Sequence, residues 1–217
     1  PDGLHFEEWY HRGGRGEELN RLFRTQLEPR TDAAQTWHSA LPPLYHNSTW
    51  IGDRTIEYLR NNKDEPFCAW ASFPDPHHPF DAPAPWSYMH HPDEVDLPPE
   101  RVRDLDRRPW WHREALERTP THTDPEFRRR REKVTRAVPQ TDEQLRRIIA
   151  NYYGMISLID HNVGRILIEL DELGLAENTI VIFTTDHGDW LGDHGLLLKG
   201  PMHYEGLLRV GLIWRGP

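Results

Sequence analysis

Thr179-Ile180-Val181-Ile182-Phe183-Thr184-Thr185-Asp186-His187-Gly188-Asp189 joins an apolar, β-branched run to an abrupt cluster of acid, imidazole and glycine. Residues 179–184 have the length and composition of a strand, and Gly188 marks the break after it. Open α/β sheets build their sites outside the carboxyl ends of strands. Asp186 and His187 leave the strand at that edge together, and their carboxylate and imidazole suit a metal ion. Lys199 follows thirteen residues after Asp186 and offers a cation suited to gripping an anionic substrate. The bland alternative makes Asp186 a cap for the next segment and His187 a satisfied polar group.

Upstream, Leu145, Ile148, Ile149, Tyr152, Ile156, Ile159, Val163, Ile166, Leu167 and Leu170 recur at steps of three and four. With the capping box Thr141-Asp142-Glu143-Gln144 before them and Gly174 after, they predict one long amphipathic helix, or two nearly collinear ones, over 145–173. Farther back, Phe67-Cys68-Ala69-Trp70-Ala71-Ser72-Phe73 lies between Pro66 and Pro74 and fits a strand buried on both faces, as in a parallel sheet. Cys68 is then a buried thiol. Asn47-Ser48-Thr49 offers a cap for a helix over about 49–61. Strand, helix and strand in alternation predict a layered α/β domain, with a mixed, mostly parallel sheet sandwiched by helices. Residues 1–46 read as irregular. So does a long excursion over about 74–140 rich in Pro, His, Arg and Trp, whose basic run at 127–131 reads as a solvated face.

The chain has 217 residues, 26 basic and 35 acidic, with a net charge of −9. That balance argues against nucleic acid or an anionic membrane as a partner. Cys68 is the only cysteine, so no internal disulfide forms. No apolar run approaches the roughly 20 residues that span a bilayer. Compartment stays open, with a lean towards cytoplasm, and oligomeric state is not readable. The chain opens on Pro1 and stops at Pro217, just after a strand-like run at 209–214, which predicts one central piece of a larger catalytic domain.

Both apolar runs end in unusual chemistry, Pro74-Asp75-Pro76-His77-His78-Pro79 and Thr185-Asp186-His187-Gly188-Asp189. Parallel neighbouring strands would bring them to one side of the sheet. The continuation through Trp190-Leu191-Gly192-Asp193-His194-Gly195 and Lys199-Gly200-Pro201-Met202-His203-Tyr204-Glu205 closely resembles the sulfatase family of the alkaline phosphatase superfamily. The likeness is to the branch with Asp-His where others have Asp-Asn, as in iduronate and choline sulfatases and phosphonate monoester hydrolases. It extends to Ser72-Phe73-Pro74-Asp75-Pro76-His77-His78-Pro79-Phe80 and to Tyr152-Tyr153-Gly154-Met155, covering most of 47–217.

The resemblance implies a metal-dependent sulfatase acting on a small-molecule or saccharide sulfate ester, on an alkaline-phosphatase-like fold incomplete at both ends. By position, Asp186 and His187 correspond to two metal ligands. His77 corresponds to the histidine that contacts the sulfate and protonates the leaving oxygen, and Lys199 to the lysine that offsets sulfate charge. Such groups offset charge that builds as the ester is cleaved. The resemblance makes calcium, accepted by some Asp-His relatives, the first choice of metal, and manganese, which imidazole suits better, the second. Asp193 and His194 are read as loop-shaping, His78 as a neighbour and His203 as packing. The family's Cys-x-Pro-x-Arg nucleophile motif, whose cysteine becomes formylglycine, has no counterpart here and is expected upstream. The 217 residues alone are therefore expected to carry half a site and show no turnover. A phosphonate or phosphate monoester hydrolase on the same scaffold, or a non-catalytic relative that keeps the metal pocket, are the competing readings.

Overall fold

A computed structural model of the chain describes residues 5–101, 105–117, 125 and 140–216. Its spine is a single helix of 31 residues, Asp142–Glu172, about 46 Å long at ~1.5 Å per residue. The order along the chain is α1 (Phe6–His11), α2 (Gly16–Arg24), α3 (Asn47–Asn61), α4 (Trp110–Glu117), α5 (Asp142–Glu172), β1 (Val181–Thr184), α6 (Glu205–Leu208) and β2 (Leu212–Arg215). Short 3-10 turns lie between them.

The predicted boundaries of α5 follow from two local devices. At its start the Thr141 hydroxyl accepts the Gln144 N–H at 3.1 Å, and the Gln144 side chain accepts the Thr141 N–H at 2.9 Å. At its end Gly174 adopts φ +68°, which a side chain would strain. The Leu175 N–H then reaches back to the Leu170 carbonyl and the Gly174 N–H to that of Asp171, which satisfies two carbonyls that the helix leaves open.

Leu145, Ile148, Ile149, Ala150 and Met155 of α5 close on Phe80, Ala82, Val95, Leu197 and Leu198 to form the main core, and Leu158 is buried farther along the helix. The same buried stripe carries Asn151, Asn162 and Glu169. Each of the three side chains makes hydrogen bonds, although the Asn151 Oδ1 is buried without one. The Asn151 amide donates to the carbonyls of Trp37 and Phe80 at 2.8 and 2.9 Å. It thereby ties together two extended segments that meet in parallel bridges, Thr36 with Phe80 and Ser39 with Pro83. The Glu169 carboxylate accepts from Nε and Nη2 of Arg60 on α3, and Arg165 of α5 donates to Asp53 of α3 at 2.5 Å. These forks lock α3 along α5.

The structure corrects several expectations. Residues 67–73 form no strand: the run has no ladder partner among the described residues, Trp70 is 92% exposed and Cys68 is exposed. The sheet among the described residues is the antiparallel pair of β1 and β2, with Val181 opposite Arg215 and Thr184 opposite Leu212. Ile182, Phe183, Leu212, Ile213 and Trp214 on it are exposed, so β1 is not the buried strand its composition suggests. Residues 1–46 hold two short helices, with Tyr10, Leu19 and Leu41 buried against Phe6, Trp9 and Phe23. The excursion after Pro74 contains α4, while its basic run at 127–131 lies outside the described residues. Among the described residues no helix is long and apolar enough to cross a membrane.

Candidate functional site

The loop after β1 holds its two polar residues by local bonds. The Asp186 carboxylate accepts the His187 N–H at 2.8 Å. The His187 Nδ1 sits 2.8 Å from the Gly188 carbonyl. A carbonyl only accepts, so Nδ1 carries a proton, and in the neutral ring Nε2 presents a lone pair. That lone pair faces the other Asp186 oxygen at 3.5 Å. Two electron-rich atoms so placed are relieved by a cation between them, and an imidazole fixed by a backbone carbonyl is the usual support for a metal-binding nitrogen. The pair fits a divalent metal as two of its ligands, one oxygen and one nitrogen. Among the described residues no group of three His, Cys, Asp or Glu side chains assembles to hold an ion by itself.

Gly188 is required by close approach of the backbone. Its N–H donates to the Leu207 carbonyl at 2.8 Å, and a Cβ there would overlap the Gly206 carbonyl oxygen. Backbone on both sides leaves nothing flexible to yield. Gly188→Ala should therefore cost about 1–3 kcal/mol, lower the melting temperature by several degrees, and weaken the stabilisation that added divalent metal gives. Thermal melts with and without metal check both effects.

His77 lies on the second loop. Its N–H closes a turn on the Pro74 carbonyl at 3.2 Å. Its Nδ1 lies 2.6 Å from the His78 carbonyl, so this imidazole also carries a proton at Nδ1. The ring stacks on His78 with centroids 4.0 Å apart. Nε2 is left for a ligand.

Asp189 feels charges from both loops at its carboxyl. Burial pushes its carboxyl up to about 6, while the Leu191 N–H and the charges of Lys199, His187 and His77 pull it back. Its carboxylate thus lies within the field of three of the four predicted site residues. Tyr152, half-buried on α5 and edge-on to Phe80, is raised to about 12 by burial first and then by Asp189, with Tyr153 and Asp186 adding to it. Asp189 and Tyr152 are the members that the motif reading left without a role. Asp189 was visible as the third polar residue of the loop, whereas Tyr152 was hidden among core positions.

Gly192 and His194 take φ +106° and +54° and bend the following segment. The His194 ring stacks on Tyr204 at 3.9 Å, and Trp190, Leu196, Met202 and Leu207 pack beneath it. This small core carries Lys199, which is half-buried. His203 is exposed rather than packed. Hollows of about 530 and 560 Å³ lie elsewhere, one around Arg60 and Glu169 and the other around Arg30 and Arg147. The convergent polar chemistry, not these hollows, marks the candidate site.

A family model described as Sulfatase matches residues 6–217. An arylsulfatase of Clostridium perfringens is 36% identical over 166 residues, covering 76% of this chain and 31% of that protein. A choline-sulfatase of Rhizobium meliloti is 30% identical over 168 residues, covering 76% of this chain and 30% of its own length. The crystal structure of a phosphonate monoester hydrolase of Agrobacterium radiobacter superposes with a TM-score of 0.73 at 26% identity, over 100% of this chain and 42% of that one. The chain thus spans about a third of the length of the curated relatives it matches. With the α/β architecture of these proteins and a family match across nearly all its residues, the chain belongs to the sulfatase family.

Proposed function

We propose that the protein carrying this chain hydrolyses sulfate esters, with Asp186, His187, His77 and Lys199 forming one part of its active site. The observation that supports this reading is that the charges of Lys199, His187 and His77 all act on the one Asp189 carboxyl. His77, with Nδ1 donating to the His78 carbonyl, acts as the imidazolium: it gives the Nε2 proton to the leaving oxygen as the S–O bond breaks and is left as the neutral ring protonated at Nδ1. Lys199 offsets the negative charge of the sulfate. Asp186 and His187 would hold a divalent metal, calcium in first place and manganese in second, which would supply polarisation of the anionic centre. The nucleophile is a formylglycine supplied outside residues 1–217, since no Cys-x-Pro-x-Arg run occurs within them.

A phosphonate monoester hydrolase is the second reading, favoured by the superposition over the whole chain. Parallel turnover of an aryl sulfate and an aryl phosphonate monoester by the full-length protein separates the two. The sulfate should have the higher kcat/KM, chelation should abolish it, and calcium should restore more activity than manganese. A higher kcat/KM for the phosphonate selects the second reading. Turnover of neither ester by metal-loaded protein removes both.

A further inference from the structure

The loop bearing His77 is fastened to the start of α3. Asp75 is the second residue of the turn closed by the Pro74 carbonyl and the His77 N–H. Its side chain is only 10% exposed. One carboxylate oxygen accepts the hydroxyl of Ser48 at 2.5 Å, and Ser48, on the first turn of α3, is fully buried. His46 caps the same helix end: its Nδ1 accepts the Ser48 N–H at 3.3 Å and lies 3.6 Å from the same Asp75 oxygen. Burial lowers the His46 pKa, opposed by the Asp75 charge. A nitrogen that accepts from Ser48 is unprotonated, so the Ser48 hydroxyl, not an ion pair, holds the carboxylate. A charge-assisted bond in a dry setting is short and directional. The start of α3 also favours a negative group. At the other end of the loop, Phe80 is pinned by the Gln35 carbonyl, the Trp37 N–H and the Asn151 amide. His77 therefore sits between two anchors, one of which is a single hydroxyl.

We infer that Asp75, held by the Ser48 hydroxyl, is a positioning residue that sets the imidazole of His77 against the leaving oxygen. Asp75 lies two residues before the ring, so freeing it lets the turn, and Nε2 with it, swing away from the bond being broken. This rests on the proposed role of His77, and the test separates the two.

In the full-length protein, Asp75→Ala and Ser48→Ala are compared with Asp75→Asn, using His77→Ala as reference, on sulfate esters of good and poor leaving groups. Asp75→Ala and Ser48→Ala should lower kcat by about 10- to 100-fold on the poor leaving group and much less on the good one, with KM nearly unchanged. Asp75→Asn keeps an acceptor for Ser48 and should restore kcat to within about threefold of the parent. Ser48→Ala removes one hydroxyl and carries the test should Asp75→Ala fail to fold. Wild-type kcat in Ser48→Ala and Asp75→Ala, equal losses on both esters, or an Asp75→Asn as slow as Asp75→Ala overturns the inference. If His77→Ala loses rate and these variants do not, the clamp alone falls. If His77→Ala is also unaffected, the role of His77 falls and takes the clamp with it.

Discussion

His77→Ala should leave the hydrolysis of a nitrophenyl sulfate nearly intact while slowing that of an alkyl sulfate by about 10²–10⁴-fold. The asymmetry follows from what the ring supplies. Cleavage of the S–O bond leaves negative charge on the departing oxygen, and a nitrophenolate tolerates that charge without a proton. An alkoxide does not. With Nδ1 engaged on the His78 carbonyl, the proton on offer is at Nε2, so removing the ring removes the acid and little of the binding. A plot of log kcat against leaving-group pKa should therefore steepen in the variant. Parallel plots for variant and parent would show that His77 binds sulfate and transfers no proton.

Asp81→Asn should stabilise the protein increasingly as pH rises from about 4 to about 8. Asp81 is buried beside Phe80 and Ala82. Burial chiefly, and then the Asp75 charge, push its carboxyl up to about 8, against a smaller opposing pull from its own N–H. In the folded chain it therefore keeps a proton that the unfolded chain releases near its ordinary value of 3.8. Between those values the unfolded state binds fewer protons than the folded one, so stability declines as pH climbs. Below about 4 the contribution is fully present, and above about 8 both states have lost the proton and the decline ends. At about 1.4 kcal/mol per unit the window spans several kcal/mol. An amide has no proton to lose, so the gap between variant and parent in denaturant unfolding should open across the window and then level off. Parallel stability curves would mean that Asp81 is ionised inside the fold.

The parts legible from sequence are those with local causes. Thr141, Gln144 and Gly174 mark the ends of α5 because caps are made by residues a few positions away. The spacing of apolar residues found the helix but misjudged its buried face: it counted Ile156, which is 40% exposed, and passed over Asn151, which is 1% exposed. A buried amide looks like a surface residue until its carbonyl partners are known, and those come from 114 and 71 positions away. Residues 67–73 show the same limit. An apolar run states that a strand is affordable, yet a ladder needs a neighbour, and the run has none among the described residues. In the site, Asp186, His187, His77 and Lys199 are legible by motif, because each stands at a fixed place in a short local run. The burial of Asp189 and the bond from Ser48 to Asp75 depend on tertiary contact and leave no periodic signal.

Both imidazoles of the candidate site hang on the carbonyl of the very next residue, His77 on His78 and His187 on Gly188. Tethers this short need no ligand to form. Ring rotation is thus surrendered during folding, and an arriving ion or ester meets side chains already aimed. Freezing a side chain at the moment of association costs about 0.5–1.5 kcal/mol each, so two rings oriented beforehand spare the encounter complex roughly 1–3 kcal/mol of ordering.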